Sequence, residues 1–349
     1  MKTMFFRPAN KERKKNHKQK IQKRKQKSCR STALQKLWQK QTANSAWQPS
    51  PAAEKKSLST SQFATELAIC RKKRKMMILE QPFIQSFIQM GTDGYDLGWH
   101  ERNGGNLSYR LKPSEVEAVK SELNRNNPWT PIGVQVENLG GEHFLVTGSG
   151  RFFRHLSDRP LESLGLIELD ETGRNYRIVY GFENGGKPTS ELPSHLMNHA
   201  VKVAINPDYR IIYHAHTTNL IALTFVLPLQ DEVFTRELWE MATECPVVFP
   251  EGVGVIGWMV PGSIEIAYAT SNKMKDYDLA IWAHHGTFAA GKDFDTTFGL
   301  MHTAEKAAEI LVKVLSMSPA KAQTIQPQDF RDVADAFGVT LDERFLYTK

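Results

Sequence analysis

Two histidines, His214 and His216, lie two residues apart at the end of a β-branched run that begins at Arg210. On a β-strand, side chains at positions i and i+2 share a face about 6.6 Å apart. One divalent ion can bridge that gap through two ring nitrogens, and a third imidazole would still leave a coordination position open for water or substrate. The same spacing also occurs in incidental pairs of strand histidines.

A second apolar run supplies a candidate for the third ligand. Residues 279–283 are apolar and lead directly into His284 and His285. If this run and the run before His214 are strands that end at the same edge of one sheet, the histidines meet there. Strand alternation does not decide between His284 and His285, and His285 is our candidate.

Three loops carry residue types that bind anions. They are residues 103–106, residues 147–150 and residues 189–190. Paired glycines in the first loop let backbone amides approach a ligand, and the third loop precedes a predicted helix whose free amides and dipole favour phosphate. Each loop alone fits an ordinary turn or helix cap. Three of them beside a candidate metal site favour a phosphorylated substrate.

Glu191 follows the third loop and has two interpretations. It can be an ordinary first-turn acid of the predicted helix. It can also be a general base, placed to remove a carbon-bound proton whose acidity a metal has raised. His195 and His199 lie at i and i+4 on the same helix, but the Glu of an HExxH motif is missing between them, so we interpret this segment as structural.

Charge divides the chain into two parts. Residues 1–75 carry 22 Lys and Arg against three acids, although the formal net charge of the whole chain is only +7. The remaining 23 bases stand against 35 acids, so the folded part is acidic and its charge gives no general reason to expect affinity for nucleic acid. Residues 11–27 are almost entirely Lys, Arg, Gln, Asn and His, and residues 41–61 are rich in Ser, Ala, Pro and Gln, so we expect the basic part to be disordered.

This basic extension has three interpretations. It can be a tail for nucleic acid or another anionic surface. A cleaved targeting peptide is less favoured, because an apolar segment with a small-residue cleavage site is missing. We favour the third, in which Met76 or Met77 is the true initiator. The predicted organisation is a basic extension over residues 1–76 and a single domain over residues 77–349.

Hydrophobic patterning predicts an α/β fold with a central, largely antiparallel sheet covered by helices on both faces. Runs over residues 164–169 and 176–180 flank a turn-rich segment and predict a hairpin. We also expect strands that carry both His214 and His216, a strand leading to His285, and a strand around Val247.

Cysteine usage and hydropathy predict the compartment. Cys29, Cys70 and Cys245 lie far apart without a CxxC spacing, which fits a reducing cytoplasm. An uninterrupted apolar run of the roughly 18 residues needed to cross a bilayer is also missing from the sequence. We therefore expect a cytoplasmic protein without membrane contact.

Five segments together resemble the zinc-dependent class II aldolase family. The resemblance runs in order from about Met77 to the C-terminus, and residues 1–76 have no counterpart in it. The segments are residues 99–107, 146–154, 188–193, 214–224 and 235–245.

The resemblance implies the roles of the candidate residues. His214, His216 and His285 would hold one Zn²⁺ per subunit, and His285 matches the motif because Gly286 follows it. Glu191 would be the catalytic base. Glu244 would be an acid supplied by a neighbouring subunit, which implies a homotetramer. Positions around the phosphosugar substrate and its phosphate would be Asn103, Asn106, Ser149, Gly150, Thr189 and Ser190.

The implied activity is reversible cleavage of L-rhamnulose 1-phosphate into dihydroxyacetone phosphate and L-lactaldehyde, in rhamnose catabolism. A fuculose-phosphate aldolase or a pentulose-phosphate 4-epimerase would share the metal and phosphate sites; Trp239 and Glu244 favour the first activity. An alternative of another class is a nucleic-acid-binding protein that acts through its basic extension.

Overall fold

The structure is a computed structural model that describes residues 78–346. The predicted basic extension, residues 1–76, lies outside these residues. Its disorder, its domain boundary and the proposed start at Met76 or Met77 therefore stay predictions.

Nine strands within the described residues form one sheet in the order β2-β5-β4-β3-β1-β6-β9-β8-β7. Neighbouring strands are antiparallel except β7 and β8, which are parallel. The strands are β1 (Asn106–Arg110), β2 (Thr130–Pro131), β3 (His143–Thr147), β4 (Leu164–Leu169), β5 (Asn175–Gly181), β6 (Ile211–Ala215), β7 (Gly254–Ile256), β8 (Leu279–Trp282) and β9 (Gly286–Gly291).

Helices precede, connect and follow these strands, and several begin with proline in the first turn, where its missing N–H costs nothing. They are α1 (Pro82–Asp96), α2 (Pro113–Val119), α3 (Pro160–Ser163), α4 (Leu192–Ile205), α5 (Thr218–Leu223), α6 (Asp231–Trp239), α7 (Cys245–Val248), α8 (Ile264–Lys273), α9 (Phe294–Met317) and α10 (Pro327–Phe337). None of the helices within residues 78–346 combines the length and the apolar composition that crossing a bilayer requires.

Side chains of the central strands alternate between two covered faces. On one face a large apolar cluster joins Leu107 and Tyr213 to residues of α1, α5, α6 and α9. On the other face two smaller clusters pack Val146 against α4 and Ile212 against α8. The predicted α/β fold, with a largely antiparallel sheet and helices on both faces, is confirmed.

Two local predictions are wrong. Val247 belongs to the short helix α7 and not to a strand, because Pro246 occupies its first turn and the amide of Val247 bonds to the carbonyl of Glu244. His216 lies just outside a strand, because β6 ends at Ala215, whereas the predicted strand leading to His285 is present as β8. His285 itself lies in the turn between β8 and β9.

Four central strands bring their site-bearing ends to one edge of the sheet. Asn106 at the start of β1 pairs with His214 near the end of β6, and Ala215 pairs with Thr287 near the start of β9. The antiparallel register of β1 and β3 places Thr147 at the same edge. Most of the predicted site residues flank these strand ends.

Candidate active site

Three histidines converge at this edge. His214, His216 and His285 each offer a ring nitrogen, and these nitrogens all lie within 4.8 Å of one another. His284 is not part of the cluster: its backbone is left-handed with φ 61°, its ring packs against that of Phe225 at an interplanar angle of 44°, and its Nδ1 lies 3.1 Å from the Thr224 hydroxyl. The turn thus directs His285, and not its neighbour, towards the other two rings.

Partners of the opposite ring nitrogens hold two of the histidines in place. His214 Nδ1 donates to the backbone carbonyl of Thr287 at 3.1 Å, and His216 Nδ1 lies 2.6 Å from a carboxylate oxygen of Glu101. Such partners fix the ring orientation and the tautomer of metal-binding histidines. His214 Nε2 is then left buried without a hydrogen-bond partner in the described part of the chain.

The protonation of this cluster suits a metal ion. Burial, together with the neighbouring His216 and His285, lowers the pKa of His214 well below its ordinary value. Burial, with a smaller effect of His216, lowers the pKa of His285 to about 4. Neutral imidazoles are zinc ligands, and three of them leave one position of a tetrahedral ion open. The buried nitrogen of His214 and the all-nitrogen donor set therefore fit zinc.

Two glycines make room for the histidine rings. A Cβ atom on Gly286 would lie 2.5 Å from the carbonyl oxygen of Ala215 and 3.0 Å from His214 Cε1. A Cβ atom on Gly104 would lie 2.8 Å from the ring of His216. Gly104, which the sequence indicated as part of an anion-binding loop, thus also serves the packing of a candidate metal ligand.

Glu191 lies beside the histidine cluster. It precedes α4 as the N-cap, is buried, and its Oε2 atom lies 3.8 Å from His214 Nε2. Asn106 Nδ2 donates to the same oxygen at 2.9 Å. Burial raises the pKa of Glu191, whereas the bond from Asn106 and the nearby His216 lower it. A carboxylate here can exchange a proton with a molecule bound at the histidines.

The second and third anion-binding loops are hydrogen-bonded to each other. The amide of Thr189 donates to the carbonyl of Thr147 at 3.0 Å, and the amide of Ser149 donates to the carbonyl of Lys187 at 2.9 Å. Gly150 has φ +67°, a left-handed conformation that favours glycine. Asn106 and Thr189 are buried, whereas Asn103, Gly150 and Ser190 are exposed and Ser149 is half-buried.

Glu244 is not brought to this group within its own chain. It is exposed, precedes α7, and makes neither a hydrogen bond nor an ion pair with the three histidines or Glu191. Its predicted contribution from a neighbouring subunit stays a prediction.

Sequence reasoning missed several residues of the site. Glu101 and Thr287 hold the rings of His216 and His214, and Ser108 and His195 contact each other behind Asn106. Only the i, i+4 spacing of His195 and His199 gave a signal, which we interpreted as structural.

The sequence profile described as "Class II Aldolase and Adducin N-terminal domain" matches residues 85–312. The chain belongs to the class II aldolase family. It is an enzyme of the aldehyde-lyase type, and the residues that the family's profile covers include the histidine cluster and Glu191.

Curated relatives and a solved structure agree with this assignment. The chain is 50% identical over 264 residues to a rhamnulose-1-phosphate aldolase of Mannheimia succiniciproducens, covering 75% of this chain and 97% of that protein. It is 43% identical over 279 residues to one of Enterococcus faecalis, covering 78% and 98%. A sugar-phosphate aldolase structure from Thermotoga maritima superposes with a TM-score of 0.57 at 29% identity, covering 68% of this chain and 98% of that one.

Proposed function

We propose that this class II aldolase is zinc-dependent and reversibly cleaves L-rhamnulose 1-phosphate into dihydroxyacetone phosphate and L-lactaldehyde. The observation that carries the zinc site is the convergence of three imidazole nitrogens within 4.8 Å of one another. The substrate is supported by relatives named rhamnulose-1-phosphate aldolase that are 43–50% identical to this chain. The reaction belongs to rhamnose catabolism.

Zinc held by His214, His216 and His285 would supply a Lewis acid that polarises the ketose carbonyl. The imidazoles are neutral donors, so the ion keeps its positive charge for this purpose. A Schiff base to a lysine would be the alternative electron sink, but the five segments that resemble the class II aldolase family contain no lysine.

Glu191 is the proposed base. Cleavage of the bond between C3 and C4 of the ketose turns C4 into an aldehyde as its hydroxyl loses a proton, and it leaves an electron pair on C3, which must take up a proton. The overall reaction thus moves one proton from the C4 hydroxyl to C3. A carboxyl group whose pKa burial has raised can deliver that proton and, in the aldol direction, remove it again. The bond from Asn106 keeps the carboxylate oriented towards the cluster.

The two joined loops are the proposed phosphate site. Ser149, Thr189 and Ser190 offer hydroxyls, Gly150 offers a backbone amide, and Asn103 and Asn106 offer side-chain amides near the carbon skeleton. Binding the phosphate there would hold the reacting carbons beside Glu191, which lies one residue beyond Ser190.

Release of dihydroxyacetone phosphate by the purified full-length chain tests the reaction. We expect one zinc per chain and rapid release from L-rhamnulose 1-phosphate, with slower release from L-fuculose 1-phosphate under the same conditions. A zinc-loaded chain that releases dihydroxyacetone phosphate from neither ketose would contradict the proposed function.

We further propose a homotetramer in which Glu244 completes the site of a neighbouring subunit. Supporting this, Glu244 is exposed and apart from the histidines of its own chain, and large apolar side chains, including Phe225, Trp258 and Tyr268, are exposed on the surface. The chain does not need nucleic acid or a membrane for this reaction, and a cytoplasmic location stays a prediction.

Mixing inactive variants tests the shared site. Glu191→Ala and Glu244→Ala would each be inactive alone, but a co-refolded mixture would regain activity, because some sites then combine an intact Glu191 with an intact Glu244 from the neighbour. A mixture as inactive as its parents, in a chain that light scattering shows to be a monomer, would overturn the proposal.

A further inference from the structure

A row of buried polar side chains extends from Glu191, the candidate base, into the protein interior between β1 and α4. Asn106 and Ser108 stand two residues apart on the strand, and His195 and His199 stand four residues apart on the helix. The two strand residues are about 6.6 Å apart along the strand, and the two helix residues are about 6 Å apart along the helix axis. Because these separations are similar, both strand residues can contact the helix pair. The side chains of the strand and of the helix therefore contact each other alternately. We call this row of contacts, from Glu191 through Asn106, His195 and Ser108 to His199, the ladder.

The ladder is continuous. Asn106 Nδ2 donates to Glu191 Oε2 at 2.9 Å, and Asn106 Oδ1 hydrogen-bonds with His195 Nε2. His195 Nδ1 lies 2.6 Å from the hydroxyl of Ser108, which lies 2.8 Å from His199 Nε2. All five side chains are buried.

The chemistry of the groups gives this ladder one direction. The amide oxygen of Asn106 only accepts, so His195 Nε2 carries the proton. Burial lowers the pKa of His195 to about 3, so its ring is neutral and its Nδ1 accepts the hydroxyl proton of Ser108. The oxygen of Ser108 then accepts from His199 Nε2. Every donor points towards Glu191.

The far end of the ladder favours the same direction. His199 Nδ1 is buried and has no hydrogen-bond partner within residues 78–346. Reversing every bond would place a proton on this nitrogen, and buried N–H groups without an acceptor are rarer in proteins than buried acceptors without a donor. Burial lowers the pKa of His199, with further contributions from His195, Arg110 and Arg210, so the ring does not become doubly protonated.

We propose that Ser108 and His195 are positioning residues, which hold the amide of Asn106 with its N–H group towards Glu191. The inference rests on the proposed function, in which Glu191 is the base. An amide free to rotate would present its oxygen to the carboxylate, and the two acceptors would repel each other. The base would then leave its position beside His214, while zinc and phosphate binding would be untouched.

Two substitutions of His195 separate positioning from packing. Glutamine reproduces the Nε2 donor of the ring, whereas asparagine reproduces only the Nδ1 position. We expect His195→Gln to keep kcat within about threefold and His195→Asn to lose at least about tenfold, with KM and zinc content unchanged in both. Equal kcat values for the two variants would overturn the proposal.

Ser108→Ala removes the hydrogen bond between the Ser108 hydroxyl and His195 Nδ1 without changing the histidine. It therefore still tests the positioning proposal if neither His195 variant folds. We expect kcat to fall about tenfold with KM and zinc content unchanged. Ser271→Ala is the matched control, because Ser271 is also buried but bonds to the carbonyl of Tyr268 on α8. A kcat for Ser108→Ala equal to that of the control would contradict the proposal.

The tautomer of His195 gives a readout that does not depend on the reaction. In the nitrogen NMR spectrum of histidine-labelled full-length chain, the two rings that contact Ser108, those of His195 and His199, should change on Ser108→Ala, and both should carry their proton on Nε2. A proton on Nδ1 would overturn the positioning proposal even in an active enzyme. A chain without aldolase activity but with the Nε2–H tautomer would instead refute the proposed function.

Discussion

On β1, Leu107 and Tyr109 face the large apolar cluster, whereas Asn106 and Ser108 face α4 and hydrogen-bond with Glu191 and His195. Both faces of β1 are buried, yet Leu107 and Tyr109 pack among apolar side chains, whereas Asn106 and Ser108 hydrogen-bond with other buried polar groups. Burial of apolar area stabilises the fold, and burial of polar groups is tolerated only where they are paired. Side-chain alternation on this one strand therefore places residues that stabilise the fold on one face and residues that support the catalytic site on the other.

This separation makes opposite predictions for the two faces. Changes on the polar face should remove metal or turnover from a chain that still folds. Changes on the apolar face should weaken the fold of a chain whose chemistry, once it is folded, is unaltered.

The largest expected effect is the loss of metal in His216→Ala. Removing one of three imidazoles leaves too few ligands to hold zinc, so the purified variant should contain little zinc and have background activity. Elemental analysis and the dihydroxyacetone phosphate assay measure both. A variant with full zinc content would break the assignment of this ligand.

Glu191→Ala should lower kcat by about 10²–10⁴-fold, the usual contribution of a positioned base, while zinc content stays at the level of the unchanged chain. Glu191 hydrogen-bonds to Asn106 and lies 3.8 Å from His214 Nε2, so its removal leaves the three imidazoles in place. If the variant also lost its zinc, Glu191 would have to be treated as a ligand.

Glu101→Ala should weaken zinc affinity by about 10–100-fold, because the carboxylate orients the His216 ring through Nδ1. Competition with a metal chelator measures the change. Glu115→Ala, which removes a carboxylate that bonds to Tyr109 on the other face of β1, is the control and should bind zinc normally. Equal zinc affinity in the two variants would remove Glu101 from the site.

Leu107→Ala should lower the free energy of unfolding by about 2–5 kcal/mol, because Leu107 is fully buried in the large cluster. Denaturant unfolding measures this loss. The kcat of the folded, zinc-loaded variant should be unchanged. A large fall in kcat would mean that the two faces of β1 are not independent.

The smallest effect is expected from deleting residues 1–76. The relative from Mannheimia succiniciproducens aligns with 75% of this chain, and that alignment covers 97% of the relative's own length. A chain from Met77 to Lys349 should therefore keep kcat within about twofold. An inactive or insoluble truncation, beside an active full-length chain, would show that the extension contributes to the fold or to the reaction.

Much of the fold could be predicted from the sequence, because alternation and turn residues fix strands such as β4 and β5 locally. Val247 misled the prediction because a short apolar run does not distinguish a strand from a helical turn. The proximity of His285 to His214 was predicted from two apolar runs that each end in histidine. The backbone that achieves this proximity was not predicted: His285 lies in a turn, and the left-handed conformation of His284 in that turn points the His285 ring towards His214.

The sequence could not predict which residues hold the catalytic residues in place. The i, i+4 histidines of α4 and the i, i+2 polar residues of β1 are both visible in the sequence, at His195 and Ser108 for example. Which strand lies under which helix depends on sheet order, and sheet order follows from contacts between residues far apart in the chain. Glu244 is harder still, because its predicted partner residues belong to another subunit.

The most direct test of the central claim is anomalous diffraction at the zinc absorption edge from crystals of the full-length chain. Zinc held by the three histidines would give one strong peak per subunit at about 2.0–2.1 Å from a ring nitrogen of each of His214, His216 and His285. A peak bound by other residues, or no peak among these three rings in active crystals, would contradict the central claim.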